Sequence, residues 1–513
     1  LGRRCRLLLR ARTDRERLPM TTTTAYQLPA VKTRSAIARL FPLRLAPIEQ
    51  LMFLDDRPRH PMTFFGQLEF SGRISLPALE AALASSLVRH PLLHACVARV
   101  RGRWCWIRSP ESTPAIDVDQ LDVPVTASRT PSIDLRSQPG VRLWVRQSEQ
   151  RSKLVLEFHH ACCDGQGGMR FVEDLLMLYA GEMCTADERP ALDKLDNYLL
   201  HRRAHFRPAA SLPGSSKARL PRQLADAWGF HTCSPQVLAS PHDKPGRSVL
   251  NDDLPGTVTH VFDAEQSAAI RQLVGQGSGT INDVAMSLLF TTLADWNRLY
   301  MPGEDNGWLR ILMPADLRDR GDLRMPAANR MSPCFVARRM SACRDWRSLL
   351  GGVQRETLHI KRTRLGLDFL NIVAALQKLP GMMPALMLLP RVLATAVLTN
   401  MADPMKRMRG KFATDHGRLV IGNLLLESVT GSPPLRPGTR AGFGIGAYAD
   451  RIIVNAKCDP RLFTAADTRR LLERYVQAWL DWLANESAGN SLEGRLRMPT
   501  AGQRLFSGQV PPG

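Results

Sequence analysis

The chain has 513 residues, 44% of them hydrophobic, which is ample for a large core divided into two or three lobes. Its formal net charge is +21, yet it has no nucleic-acid motif and no basic run interleaved with aromatics, so no nucleic-acid partner is expected. No uninterrupted apolar run reaches the ~18 residues that a membrane-spanning helix needs.

Residues 1–35 begin with leucine and hold seven arginines before Met20, outside any periodic pattern. They are read as a disordered extension, or as an untranslated stretch ahead of a start at Met20 or later. Residues 62–70 read as a strand. Residues 76–89 place Leu79, Ala82, Leu83 and Leu87 on one helical face, and Pro91 ends that helix after Arg89-His90. Residues 104–107 and 141–147 read as further strands.

Residues 154–158 alternate apolar and polar, and His159 and His160 stand where that strand ends. Gly165, Gly167 and Gly168 then break the chain, and residues 169–180 carry Phe171, Val172, Leu175, Leu176 and Tyr179 at helical spacing. Neighbouring side chains on a strand point to opposite faces, so both histidines cannot face one cavity while the strand lasts. One can be a base at a substrate channel, and the other is packed or hydrogen-bonded inside. Asp164 can fold back to fix the loop. Two core histidines and a capping aspartate would explain a bare pair. The full spacing His-His-x-x-x-Asp-Gly, however, arises by chance on the order of once per thousand chains of this size.

Residues 202–255 are rich in Pro, Ser, Gly and basic residues and read as a linker or crossover between lobes at 36–201 and 256–490, with a tail at 491–513. Residues 259–262 read as a strand and 263–274 as a helix, and Thr280 opens a buried helix running to Trp296 with an N-cap signature. Residues 310–318 read as a strand ending in Arg318. Residues 366–398 are strongly apolar and are cut by Pro380, Pro384 and Pro390 into short helices. Buried helices of the second lobe are the preferred reading there, with a membrane-surface patch or lipid-facing channel wall as the other. A late strand pair follows Gly438, and residues 464–483 form a closing amphipathic helix.

His159-His160-Ala161-Cys162-Cys163-Asp164-Gly165 resembles the active-site motif of the chloramphenicol acetyltransferase-like superfamily. That superfamily includes peptide condensation domains, alcohol acetyltransferases, wax ester synthases and plant acyltransferases. Arg89-His90-Pro91-Leu92-Leu93 resembles the Arg-His-Pro-x-Leu end of its first helix. Leu143-Trp144 resembles a degraded Pro-Leu-Trp motif of wax ester synthases, with Arg142 in place of proline. Asn282-Asp283 resembles their Asn-Asp motif, with simple helix capping an equal alternative. Arg318 resembles the strand-terminal arginine that pairs with the motif aspartate. Asn329 to Ser332 resembles the Asn-x-x-Ser strand, and Thr399-Asn400 the pair that ends a bridging strand.

The resemblance covers about residues 36–490. It implies an α/β (α+β) fold: two chloramphenicol acetyltransferase-like lobes in one chain, each a mixed sheet flanked by helices, with the active-site channel between them. It implies an acyltransferase that moves an acyl group from acyl-CoA or an acyl-carrier protein to a small-molecule hydroxyl or amine. His160 is then the base, His159 its packed neighbour, and Asp164 the partner of Arg318. Gly165 would permit a tight turn and close backbone approach. Trp144, Asn282, Asp283, Asn329 and Ser332 would line the channel. No acyl-enzyme is needed, so Cys162 and Cys163 are small spacers rather than nucleophiles. No bound cofactor and no metal are expected, the acyl-CoA or phosphopantetheine thioester being a co-substrate. The alternatives are a stand-alone condensation protein acting on carrier-bound substrates and an inactive binding member. The net charge reflects an arginine-rich genome, since residues 301–350 contain no Lys, or an anionic substrate such as coenzyme A. The ten cysteines, with no C-x-x-C pair and apolar settings as at Cys96 and Cys458, suit a cytoplasmic protein. A monomer is expected, with peripheral membrane contact left open.

Overall fold

In a computed structural model, the structure describes residues 39–109, 113–125, 132–184, 190–206, 233–242, 256–277, 279–363, 365–388 and 392–496. The proposed extension at 1–35, residues 207–232 and 243–255 of the proposed linker, and residues 497–513 of the tail lie outside the described residues.

The strands are β1 (Leu43–Arg44), β2 (Thr63–Ser71), β3 (Ala95–Val100), β4 (Arg103–Arg108), β5 (Ile116–Gln120), β6 (Val141–Gln147), β7 (Arg151–His159) and β8 (Val258–Val261). They continue as β9 (Trp308–Asp316), β10 (Met331–Arg339), β11 (Ala396–Ala402), β12 (Thr414–Asp415), β13 (Arg418–Ile421), β14 (Leu424–Ser432), β15 (Ala441–Tyr448) and β16 (Arg451–Cys458). The helices are α1 (Pro47–Asp55), α2 (Leu76–Arg89), α3 (Gly165–Met183), α4 (Ala264–Gly275), α5 (Ile281–Tyr300), α6 (Trp346–Thr363), α7 (Gly366–Lys378), α8 (Met382–Leu388) and α9 (Ala465–Leu496).

Two mixed sheets carry the two lobes. The first runs β12-β13-β14-β2-β7-β6-β5 and the second β10-β9-β11-β15-β16-β8, with a small sheet β1-β4-β3 beside the first. Alternation along β7 sends Leu154, Leu156 and Phe158 to one face, where they join Leu83 and Leu87 of α2 and Phe171 and Leu175 of α3 in one core. The second core gathers Phe290 and Trp296 of α5, Phe443 of β15, and Tyr475 and Trp479 of α9. Capping boxes at Asp263 and Thr280 start α4 and α5, as their N-cap signatures suggest. No helix among the described residues is long and apolar enough to cross a membrane.

The first sheet is completed by the C-terminal half of the chain. β14 pairs antiparallel with β2, from Leu425 opposite Ser71 to Ser432 opposite Phe65. The strand containing Thr399-Asn400 does not bridge the lobes, contrary to the sequence expectation. It is β11, inside the second sheet and parallel to both β9 and β15. Its apolar run Ala396-Val397-Leu398 is buried, as suits an interior parallel strand.

Candidate active site

The motif begins where β7 leaves the first sheet. His159 N–H donates to Gly140 O at 2.9 Å, and His160 N–H donates to Met62 O at 2.8 Å. Both backbones are therefore still held at the sheet end while the side chains diverge. His159 is buried. Its Nδ1 accepts from Ala161 N–H at 3.1 Å, which places the ring proton on Nε2, 3.8 Å from an Asp56 carboxylate oxygen. Buried, with Nδ1 hydrogen-bonded and Nε2 facing a carboxylate, His159 is placed as a packing group.

His160 is partly exposed and meets the Phe64 ring edge-on, with centroids 5.1 Å apart. Burial lowers its pKa below the ordinary 6.5, outweighing the opposite pull of its own carbonyl and of Asp164. The imidazole is accordingly neutral at neutral pH, the state a general base requires. Its Nδ1 and the Oδ1 of Asn329 are both buried without a hydrogen-bond partner.

Asp164 is buried and fully engaged. Arg318 grips it with a fork, Nη2 to Oδ1 at 2.8 Å and Nη1 to Oδ2 at 3.0 Å. The N–H groups of Gly167 (2.8 Å) and Arg330 (2.7 Å) donate to the same carboxylate. Burial alone would raise this carboxyl, but the Arg318 charge and these four hydrogen bonds hold it below its usual range. Arg318 lies two residues beyond the end of β9 rather than on it, and Asp316, the last strand residue, holds it at 3.0 Å.

Asp164 is also the N-cap of α3, which starts at Gly165 and not four residues later. The sequence reading took the glycines as breakers. They sit instead in the first helical turn, where Asp164 offsets their poor propensity. Gly167 is required by contact, since a Cβ there would lie 2.8 Å from Ala328 O. Gly165 has no such constraint: a Cβ on it would meet nothing within 4 Å, and its φ is not positive. The expectation of a tight turn at Gly165 is therefore corrected. The space beside it is open.

A four-residue segment of the second lobe, residues 327–330, locks over the motif. Ala327 N–H donates to His90 Nδ1 at 2.9 Å, and Ala328 O accepts from Arg318 Nη2 at 2.9 Å. Asn329 Nδ2 donates to the carbonyls of His160 (2.8 Å) and Ala161 (2.9 Å), and Arg330 N–H binds Asp164. His90 in turn meets Asp174 of α3 through Nε2 at 3.0 Å. His90, just past the end of α2, thus braces residue 327 and α3 together, a role the sequence did not reveal because its partners are 84 and 237 residues away.

The remaining candidates have other partners than this cluster. Trp144 is buried with Phe65, Val125 and Val155 and pairs in register with Val155, four residues before His159 and about 13 Å along the strand. Asp283 spends one carboxylate oxygen on Thr280 and the other on Thr357, and Asn282 lies against the Met313 sulfur. Asp283 thus completes the capping box of α5, in which Asn282 takes no part. Ser332 Oγ donates to Gly366 O at 2.7 Å, fastening α7 to β10. Cys162 and Cys163 are buried, and burial pushes both thiols well above their usual range, which favours the protonated thiol over a thiolate. Gly140 is where a side chain would run into Cys162 Sγ.

The sequence reading also missed a polar seam between the lobes. Glu157, on the same face as His159, is raised above its usual range by burial. Lys457 of β16 is pushed down to about 8 by burial and lies 5.1 Å over the Phe65 ring. Alternation of β7 places Glu157 there, but only the tertiary fold brings Lys457 to it.

No protein-family model matches the chain. An uncharacterised protein of Mycobacterium tuberculosis is 26% identical over 294 residues, 54% of this chain and 62% of that protein, so the match spans less than two thirds of the relative. A probable non-canonical nonribosomal peptide synthetase, CymA of Salinispora arenicola, is 29% identical over 241 residues, 44% of this chain but 3% of that one. Solved structures match far more of the fold. The trichothecene 15-O-acetyltransferase TRI3 of Fusarium sporotrichioides superposes with a TM-score of 0.60 at 15% identity, over 85% of this chain and 94% of that one. The first condensation domain of the calcium-dependent antibiotic synthetase reaches 0.61 at 13% identity, over 86% and 96%. The chain has the chloramphenicol acetyltransferase-like, condensation-domain fold. The starter condensation domain of rhizomide synthetase, solved with C8-CoA and Leu-SNAC, shares this superfamily fold at a TM-score of 0.56 and 14% identity, over 88% and 96%.

Proposed function

We propose that this protein is an acyltransferase using His160 as general base and a thioester, acyl-CoA or phosphopantetheine-bound, as donor. The observation that carries this reading is the presentation of His160. It is a partly exposed imidazole, favoured in its neutral form by burial, whose backbone is clamped by both lobes while its neighbour is buried and hydrogen-bonded through Nδ1. His160 takes the proton of a hydroxyl or amine as that atom attacks the thioester carbonyl. The resulting oxyanion collapses, the carbon–sulfur bond breaks, and the imidazolium returns the proton to the departing thiolate. Ester or amide and free thiol are the products, and no covalent enzyme intermediate forms. Asp164 carries no proton in this scheme: it positions the motif through Arg318 and the α3 cap. The free, buried thiols among the described cysteines support a reducing, cytoplasmic setting.

The partial match to a peptide synthetase favours a second reading, in which the donor is a carrier-protein thioester. The experiment is thiol release from acyl-CoAs, acetyl to palmitoyl, with a panel of alcohols and amines, repeated with acyl-carrier thioesters. Acceptor-dependent release from acyl-CoA supports the first reading. Release from the carrier alone moves the assignment to the second. Acceptor-independent release, or none from either donor, contradicts both.

A further inference from the structure

The hairpin formed by α7 and α8 has its apolar side on the outside. Gly366, Leu370 and Val373 of α7 and Met383 of α8 are buried, as the preferred sequence reading expected of the whole segment. Ile372 is nevertheless 58% exposed, Leu379 54%, Met382 43% and Leu386 39%. Ile372, Ala375 and Leu379 follow helical spacing and make one stripe. Met382 and Leu386 continue it past the Pro380-Gly381 turn. The reading of these helices as buried is therefore corrected for their outer face.

The hairpin spans the two lobes. Ser332 holds its start, Gln377 Nε2 donates to Leu45 O at 3.0 Å, and Arg57 donates to Met387 O near its end. These fastenings hold the inner side and leave the stripe uncovered. An exposed apolar stripe along a surface hairpin is a candidate surface for contact.

Charge decides which contact. Residues 357–402 hold five Lys and Arg against one acid, Asp368, whereas the whole chain holds 69 against 48. Lys361, Arg362 and Lys378 are exposed, at the end of the preceding helix and in the last turn of α7. Apolar side chains flanked by exposed cations, on short helices lying along the surface, match the chemistry of a bilayer interface with anionic headgroups. We propose that the outer face of the α7–α8 hairpin docks on anionic lipid membranes. The cations contact headgroups, and Ile372, Leu379, Met382 and Leu386 enter the acyl boundary. The contact places a membrane next to the lobe junction, because the Arg57–His60 bridge and Met62 connect the hairpin end to His160. It stands without the acyl-transfer reading, since docking needs no turnover.

The test is sedimentation of the full chain with vesicles, without substrate. Vesicles of phosphatidylcholine alone are compared with an equimolar mixture of phosphatidylcholine and phosphatidylglycerol. The protein should sediment with the mixed vesicles, less with neutral ones, and less at high salt. Leu379→Ser/Leu386→Ser should bind roughly tenfold or more weakly, since two apolar side chains no longer leave water. Lys361→Glu/Lys378→Glu should lose the preference for anionic vesicles. Unfolding midpoints within a few degrees of wild type establish that the variants are folded. No binding to mixed vesicles would overturn the proposal, as would a serine variant that binds like wild type. So would a wild-type dimer that the serine variant renders monomeric, because a second copy would then cover the stripe.

Discussion

Two regions tie the second lobe to the first, and they do so by opposite means. At residues 327–330, four consecutive residues are hydrogen-bonded to His90, Arg318, His160, Ala161 and Asp164, of which His90, Ala161 and Asp164 are buried and His160 and Arg318 partly exposed. At residues 366–388 a few polar fastenings hold the inner side, and the space between them is spanned by apolar side chains, half of them facing outward. The first arrangement leaves no freedom to the motif that it covers. The second leaves a face with no intramolecular partner. Buried, fully paired polar groups fix geometry, because removing one partner strands the other. Exposed apolar groups fix nothing inside the chain, and serve contact with something outside it.

The contrast can be broken first at Asp164 and Arg318. Arg318→Ala should cost about 3–5 kcal/mol, because it leaves the buried Asp164 carboxylate without its counter-charge, and Asp164→Ala should cost less, because Arg318 keeps its pair with Asp316. The double variant should cost less than the sum, and Arg318→Lys should rescue poorly for lack of the planar fork. Urea unfolding of the four proteins measures this, and additive singles would mean that the pair is not coupled. The next largest effect is expected at His90. His90→Ala strands Ala327 N–H and leaves Asp174 with Arg89 alone, for about 1–3 kcal/mol, and should lower kcat more than it raises KM, since no substrate is touched.

Titration sharpens the same point. The pKa values of His90 and His160 are lowered, chiefly by burial, from 6.5. Below pH 6.5 the unfolded chain binds protons that the folded chain refuses, so stability is full above 6.5 and falls as pH drops toward the folded values. His90→Gln should flatten part of that fall in a pH series of unfolding midpoints. The smallest effects belong to the hairpin. Leu379→Ser or Leu386→Ser should change stability by no more than about 0.5 kcal/mol, since each side chain already meets water. A larger loss would mean that the stripe supports the fold.

Much of this was legible in the chain itself. The bounds of α2 follow from an uninterrupted apolar face and from Pro91. Asp164 and Arg318 are brought together as the motif resemblance implied. Local signals could not show what depends on distant partners. β14 joins β2 across some 350 residues, and neither strand's alternation names its neighbour. The start of α3 was misplaced because glycine propensity reads as a break, while Asp164 and Ala328 decide otherwise. The exposed face of the hairpin was not legible because an apolar helical stripe has the same period whether it faces a core or the outside.

The most direct test of the central claim is thiol release by His160→Ala, measured with its unfolding midpoint on the same preparation. A folded protein whose turnover is down by about 10² to 10⁴ is the expected result. Turnover within a few-fold of wild type in a folded variant would remove His160 from the chemistry and contradict the account.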